Sequence, residues 1–350
     1  QLCSQLRTAG LAIDRCAVFI RTLHPNIMGR RFLWNLGEDV RVAEADYEIL
    51  KRDSYRLSTI SAVQETGRAI RLRLELPDCP RDYNIVDDFR DEGFTDYVAH
   101  PLEFLNGQHH VISWATKRPG GFSDHEILAL MSVREPLARI AEIHALRRTA
   151  GNLLDTYVGH RTGQRILEGK IRRGDVQTIH AAILVADLRG FTAMSNKRPA
   201  AEVVGKLNAY YDCLAPSIVA HGGEILKFMG DGLLAIFPIE QNGRQVCDAA
   251  LLAAEEGQER LRAEDVRCGM ALHLGEVLYG NIGSEDRLDF TAIGPAINLT
   301  ARMEPLTRDL GRPIIISAAF ADACTSPIEE IGAFTLRGFD GHTEVFVPAA

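Results

Sequence analysis

Apolar residues in the first part of the chain fall in short runs. Residues 16–23 (CAVFIRTL), 31–37 (RFLWNLG) and 111–116 (VISWAT) each read as a β-strand, the last with partial two-residue alternation. Residues 76–93 hold Pro77, Pro80 and several aspartates, and predict a loop-rich middle. Pro119-Gly120-Gly121 is a strong breaker. Ser123 then caps a helix, with Glu126 three residues on at capping-box spacing. Beyond Pro136, Ile143, Leu146, Ala150, Leu153 and Tyr157 are separated by steps of 3, 4, 3 and 4, the seam spacing of a coiled coil. The spacing predicts a dimerising signalling helix; one helix packed on its own domain is the plainer alternative. Gly151 costs ~1 kcal/mol inside a helix and is a candidate break.

A different pattern begins near Thr178. It reads β (179–186), α (199–221), β (224–228), β (233–237), α (246–262), β (266–274) and β (276–282), then a helix near 296–308 and further strands. The opening β-α-β-β-α-β order is ferredoxin-like. The fold expected is α+β: a mixed α/β unit over 1–136, a helical linker over 137–177 and a ferredoxin-like domain over 178–350.

Composition narrows the classes. At roughly 150 residues per domain, 350 residues suggest two domains. With 46% hydrophobic and 25% charged residues, neither a disordered chain nor a membrane bundle fits. Lys and Arg number 39 against 47 Asp and Glu, a net charge of −8. That balance argues against broad binding to nucleic-acid phosphates but leaves room for a local phosphate site. Seven scattered cysteines without a CxxC disfavour a disulfide framework or a zinc site, and a reducing cytoplasm fits best. No apolar stretch approaches the ~20 residues of a bilayer span. The sequence starts at Gln1, so a preceding segment is an open expectation.

Three blocks carry chemistry. In the first, Asp187 ends an apolar strand, and Leu188-Arg189-Gly190-Phe191-Thr192 turns towards a helix. A carboxylate there can hold a metal, and the N–H groups of the turn can cradle phosphates; a simple strand-end cap is the commoner meaning. In the second, Gly230-Asp231-Gly232 joins two apolar strands as a tight turn. A ferredoxin-like sheet sets these strands side by side, so Asp187 and Asp231 would meet. Two such carboxylates repel unless a divalent cation sits between them. In the third, Asn298 and Arg302 lie four apart, on one helix face, and suit a sugar and a phosphate.

Together the blocks resemble the catalytic domain of class III adenylate and guanylate cyclases over residues 179–347. They resemble that family's F-x-D-[IL]-x-x-F-T, K-x-x-G-D and G-x-x-x-N-x-x-x-R signatures, the second as Lys227-Phe228-Met229-Gly230-Asp231 and the third as Gly294 to Arg302. The resemblance implies that Asp187 and Asp231 ligate two Mg²⁺ (or Mn²⁺) ions per active site, with the Leu188 carbonyl as a third contact. It implies that Lys227 and Thr291 recognise the base, that Asn298 orients the ribose and that Arg302 meets the α-phosphate. It also implies a homodimer whose sites are shared, with metals from one subunit and Lys227, Thr291, Asn298 and Arg302 from the other.

Base choice follows from donors and acceptors. Adenine offers an acceptor at N1 and a donor at N6; guanine offers the reverse. Lysine only donates and a threonine hydroxyl can accept, so the pair suits ATP. Guanylate cyclases of the family typically carry glutamate at the lysine position. The commonest adenylate-type partner is Asp, and Thr matches a bacterial Lys/Thr subclass. A hydroxyl can also donate, which leaves room for GTP. One departure is Glu276, where many members have arginine; Arg189, Lys197 and Arg198 are candidate replacements, each more simply a solvated surface charge.

The first 136 residues resemble a GAF-type sensor, which implies an unidentified small-molecule or protein effector. His109, His110 and Cys79 are read as solvated loop residues rather than haem or metal ligands. The function expected is a regulated adenylate cyclase. A guanylate cyclase is opposed by Lys227, a diguanylate cyclase by the lack of a GGDEF-like motif, and a non-catalytic nucleotide-binding regulator by the completeness of the Asp, Asn and Arg set.

Overall fold

A computed structural model describes residues 1–349. The chain forms two units, Gln1–Thr156 and Tyr157–Ala350.

The first unit is built on six antiparallel strands: β1 (Arg15–Arg21), β2 (Gly29–Asn35), β3 (Arg41–Ala45), β4 (Ile70–Arg73), β5 (Asp96–Glu103) and β6 (His109–Thr116). Their order across the sheet is β3-β2-β1-β6-β5-β4. The apolar runs expected as strands are β1, β2 and β6. β3 and β4 escaped notice because they are short and rich in charge, and β5 because Pro101 interrupts its reading. The middle segment expected as loop contains the helix Ile85–Asp91, which buries Val86 and Phe89 against the sheet. His109 and His110 lie in β6, not in a solvated loop. His110 is buried: its Nδ1 accepts from the Arg21 N–H at 3.0 Å and its ring packs on Phe104 at 3.9 Å. Cys79 is buried as well.

One face of this sheet is made small by Ala17, Gly29 and Ala43. Opposite it stand the helix Thr59–Thr66 and the segment around Tyr55. A cavity of about 510 Å³ opens between them, with Phe19, Arg21, Arg31, Tyr55, Gln64 and Tyr97 in its wall. Arg21 donates to the Tyr55 hydroxyl at 3.2 Å, and that hydroxyl bonds Gln64 at 2.6 Å.

Ser123 and Glu126 cap a helix reciprocally. The Ser123 Oγ accepts from the Glu126 N–H at 3.3 Å, and Glu126 accepts from the Ser123 N–H at 2.8 Å. The helix Asp124–Val158 then runs unbroken through Pro136 and Gly151. Along its spaced apolar positions Ile143, Leu146 and Tyr157 are exposed.

The second unit holds β7 (Val176–Leu188), β8 (Glu224–Met229), β9 (Gly232–Pro238), β10 (Cys268–Gly283), β11 (Leu288–Ile293), β12 (Ile314–Ser317), β13 (Ile328–Phe334) and β14 (Thr343–Pro348). The central order β10-β7-β9-β8 follows from the expected β-α-β-β-α-β succession, and β12, β14 and β13 extend the β10 side. Alternation along β7 builds two cores. Ala182, Leu184 and Ala186 face the helices Ala200–Ala220 and Gly243–Ala263; Ala181, Ile183 and Val185 pack with Val277, Tyr279, Phe290 and Ala296. Each buried Leu, Ile, Val or Phe side chain contributes roughly 1.5–3 kcal/mol, and each alanine methyl less.

Two strands expected over 266–274 and 276–282 are one 16-residue strand, β10. Gly275 does not turn the chain there. It gives room to the helix Pro295–Met303: a Cβ at 275 would lie 2.7 Å from the Ala296 Cβ. The helix expected near 296–308 is two pieces, Pro295–Met303 and Leu306–Asp309. Among the described residues no helix is long and apolar enough to cross a membrane.

Candidate active site

The β8–β9 hairpin is tight because Gly230 takes φ 70°, a conformation that costs glycine little. Tyr211 braces it, donating its hydroxyl to the Gly230 carbonyl and packing on Phe228 at 4.3 Å. The Leu188 N–H donates to the Asp231 carbonyl at 3.0 Å, and Asp187 pairs in register with Gly232. The end of β7 and the hairpin tip are thereby joined, which brings Asp187 and Asp231 together. Burial, and then the negative charge of Asp231, push the Asp187 carboxyl up to about 6. A cation would remove that penalty. The donor set is all oxygen, which suits Mg²⁺ or Mn²⁺. No group of three or more His, Cys, Asp or Glu side chains that could hold a metal occurs among the described residues. The family resemblance would add the Leu188 carbonyl as a third contact.

Arg189 departs from expectation. Its N–H donates to the Arg267 carbonyl, and its guanidinium turns inward to Glu304 at 2.8 Å and to the Thr307 hydroxyl. The Glu304 side chain is 7% exposed, and a carboxylate so buried needs a cation. Arg189 is therefore committed to the fold rather than to a phosphate. Arg198 pairs with Glu202 at 3.2 Å on the surface, and Lys197 is exposed. Gly190 precedes the short helix Phe191–Ser195, so Phe191 and Thr192 supply its first N–H groups.

The far ends of β10 and β11 fold over the sheet to meet β8. Tyr279 donates to Glu224 at 2.7 Å, and its ring meets Phe290 edge-on at 4.8 Å. This contact sets β11 beside Lys227, whose Nζ donates to Asp289 Oδ2 at 2.7 Å. Thr291 is two residues further along β11 and is 4% exposed; its hydroxyl is buried without a hydrogen-bond partner. Sequence reasoning missed Asp289, although a two-residue step along a strand returns to the same side.

Gly294, at φ 147°, turns β11 into the helix Pro295–Met303. Ala296, Thr300 and Met303 are buried, while Asn298 and Arg302 are exposed on the outer face. Glu276, in β10, is exposed and opposes His180.

The domain thus combines a central β10-β7-β9-β8 sheet, two acidic residues where β7 meets the β8–β9 hairpin, and a helix carrying Asn298 and Arg302. Residues 176–347 match the adenylate and guanylate cyclase catalytic domain. The chain is 32% identical over 175 residues to an uncharacterized protein of Mycobacterium tuberculosis, covering 48% of this chain and 33% of that one. It is 31% identical over 177 residues to the terminal-differentiation-specific adenylate cyclase of Dictyostelium discoideum, covering 49% of this chain and 8% of that one. The chain thus spans about a third or less of the length of these curated relatives. A bacterial light-regulated adenylyl cyclase structure shares the fold, with a TM-score of 0.53 at 21% identity over 70% of this chain and 83% of that one.

Proposed function

We propose that the chain is an adenylate cyclase that converts ATP to 3′,5′-cyclic AMP and pyrophosphate at sites shared across a homodimer. The observation that carries this reading is the junction of Asp187 with Asp231, on the same domain as Lys227, Asn298 and Arg302. The 3′-oxygen forms a bond to the α-phosphorus, the bond from that phosphorus to the β-phosphate bridging oxygen breaks, and the hydroxyl proton leaves to solvent. Asp187, Asp231 and the Leu188 carbonyl would hold the cations. When bound, two Mg²⁺ or Mn²⁺ ions neutralise the triphosphate and acidify the 3′-hydroxyl. The Gly190, Phe191 and Thr192 N–H groups receive phosphate oxygens. Asn298 orients the ribose, and Arg302 stabilises charge gathering on the α-phosphate oxygens. Lys227 and Thr291 read the base.

The first unit is read as a GAF-like sensor whose effector occupies the 510 Å³ cavity, a volume typical of small-molecule sites. The exposed Ile143, Leu146 and Tyr157 of the helix Asp124–Val158 are read as its dimer seam. The purified chain with Mg²⁺ or Mn²⁺ and either ATP or GTP, followed by product analysis, tests the activity. Cyclic AMP from ATP is expected. Absence of any cyclic nucleotide with both substrates and both metals overturns the reading.

A further inference from the structure

We propose that the cavity of the first unit takes a small aromatic anion whose negative group is gripped by Arg21 and Arg31. The inference rests on the reading of this unit as a small-molecule sensor and names the chemical class of its effector. Several charges in the cavity wall are already matched. Arg30 pairs with Glu44, and Arg15 pairs with Glu92 at 3.1 Å and stacks on Phe89 at 4.7 Å. Arg21 reaches only the neutral Tyr55 hydroxyl, and the Arg31 side chain has no hydrogen-bond or ion-pair partner among the described residues. Both arginines belong to the same face of the sheet. Arg21 opposes Gly29 in the β1–β2 ladder, and Arg31 is two residues beyond Gly29, so the two are diagonal neighbours. Such positions lie about 7–8 Å apart, near enough for two guanidinium groups to hold one oxyanion and to repel each other without it. Gly29 places no side chain between them. The other unmatched charge in the wall, Asp88, stands on the helix Ile85–Asp91 rather than on these strands.

The buried part of the wall is apolar. It is made by Leu33, Ile60, Phe89 and Tyr97, and the Tyr97 hydroxyl is engaged by Thr59 at 2.8 Å, which leaves its ring to the cavity. Phe19 opposes Arg31 in register. An apolar wall beside two unmatched arginines fits a ligand with a flat hydrocarbon body and one anionic head. A neutral ligand would leave the arginines unmatched, and a bare inorganic anion would leave the apolar wall uncovered.

The test titrates the purified chain with two fluorescent probes that share one aromatic body: anilinonaphthalene sulfonate, an anion, and phenylnaphthylamine, its neutral counterpart. Ala43→Trp, at an exposed strand position in the cavity wall, should block both probes and so locate them. In the double variant Arg21→Gln with Arg31→Gln, the ratio of sulfonate affinity to amine affinity should fall at least about tenfold, as charge-assisted contacts are lost. The corresponding double lysine variant should retain more of the ratio. Benzoate or phenyl phosphate should displace the sulfonate, the stronger of the two naming the head group as carboxylate or phosphate, and benzyl alcohol should not. An unchanged ratio in the double glutamine variant, at an unchanged melting temperature, overturns the anion assignment alone, as does displacement by benzyl alcohol as readily as by the anions. Binding of neither probe, or undiminished binding of both in Ala43→Trp, overturns the cavity as a ligand site and the sensor reading with it.

Discussion

The Arg189 guanidinium lies 2.8 Å from the Glu304 carboxylate, joining the turn after Asp187 to the end of the segment that carries Arg302. Removing one partner leaves a charge buried alone, which costs about 3–5 kcal/mol in a dry site and less here, where Arg189 is partly exposed. Arg189→Met alone should therefore be clearly destabilising. Adding Glu304→Gln should restore part of the loss, with a coupling on the order of 1–3 kcal/mol. Chemical denaturation of both single variants and the double variant measures it; strict additivity would mean that the contact contributes nothing.

Asp187→Ala and Asp231→Ala should each lower turnover by at least ~10²-fold, by analogy with the loss of one preorganised transition-state contact. Both residues sit at strand ends, and the Leu188–Asp231 bond is made by backbone atoms, so the fold should survive. Cyclic nucleotide assay with circular dichroism separates the two effects. More than a tenth of wild-type activity in either variant rejects the metal role.

Shared sites make a sharper demand. Asp187→Ala spoils one half of each composite site and Arg302→Ala the other half. In a mixed dimer, twofold symmetry gathers both defects in one site and leaves the other intact. Random exchange makes about half of the dimers mixed, so mixing two inactive variants should restore roughly a quarter of wild-type activity. If tagged pull-down proves subunit exchange and no activity returns, the site is built within one chain.

Acid should destabilise both units. Burial holds His100, His110 and His273 down to about 4, aided by Arg134 for the first, by Arg21 and His109 for the second and by His180 for the third. The unfolded chain takes up these protons first, near pH 6.5. The stabilisation is complete above that pH and is lost as pH falls from 6.5 towards 4. Each group contributes on the order of 3 kcal/mol across the window. Melting temperatures should drop between pH 7.5 and pH 5. Equal values at both would show that these rings stay hydrated.

The helix Asp124–Val158 allows a test of regulation. Inserting two residues between Ile143 and Tyr157 rotates the downstream chain against the upstream helix by about 200°. Basal activity or its response to an effector should change; identical kinetics would make the helix a passive tether.

Several of these features were legible in the sequence. Asp187, Asp231, Asn298 and Arg302 stand in short motifs, and the continuous apolar runs of β7 and β9 forecast buried strands. Ser123 and Glu126 announced their cap. β3 and β4 were hidden because they are edge strands of only five and four residues that carry charge, and β5 because a proline tolerated in a strand reads as a breaker. The ion pairs of Arg189 with Glu304 and of Lys227 with Asp289 span 115 and 62 residues of sequence. Pairs so distant are fixed by folding, and local pattern carries no trace of them. Gly275 misled for a related reason: a glycine that makes space for a helix looks the same as one that makes a turn.

That glycine has a further consequence. Ordinary contacts of a Cβ lie at 3.4–4 Å, against the 2.7 Å that an alanine at 275 would impose on Ala296. The helix bearing Asn298 and Arg302 would have to retreat by about 1 Å, a displacement able to cost ~10²-fold in rate. Position 275 is thus a spacer gauge. A single methyl group there, touching neither nucleotide nor metal, detunes the distance from which the arginine acts.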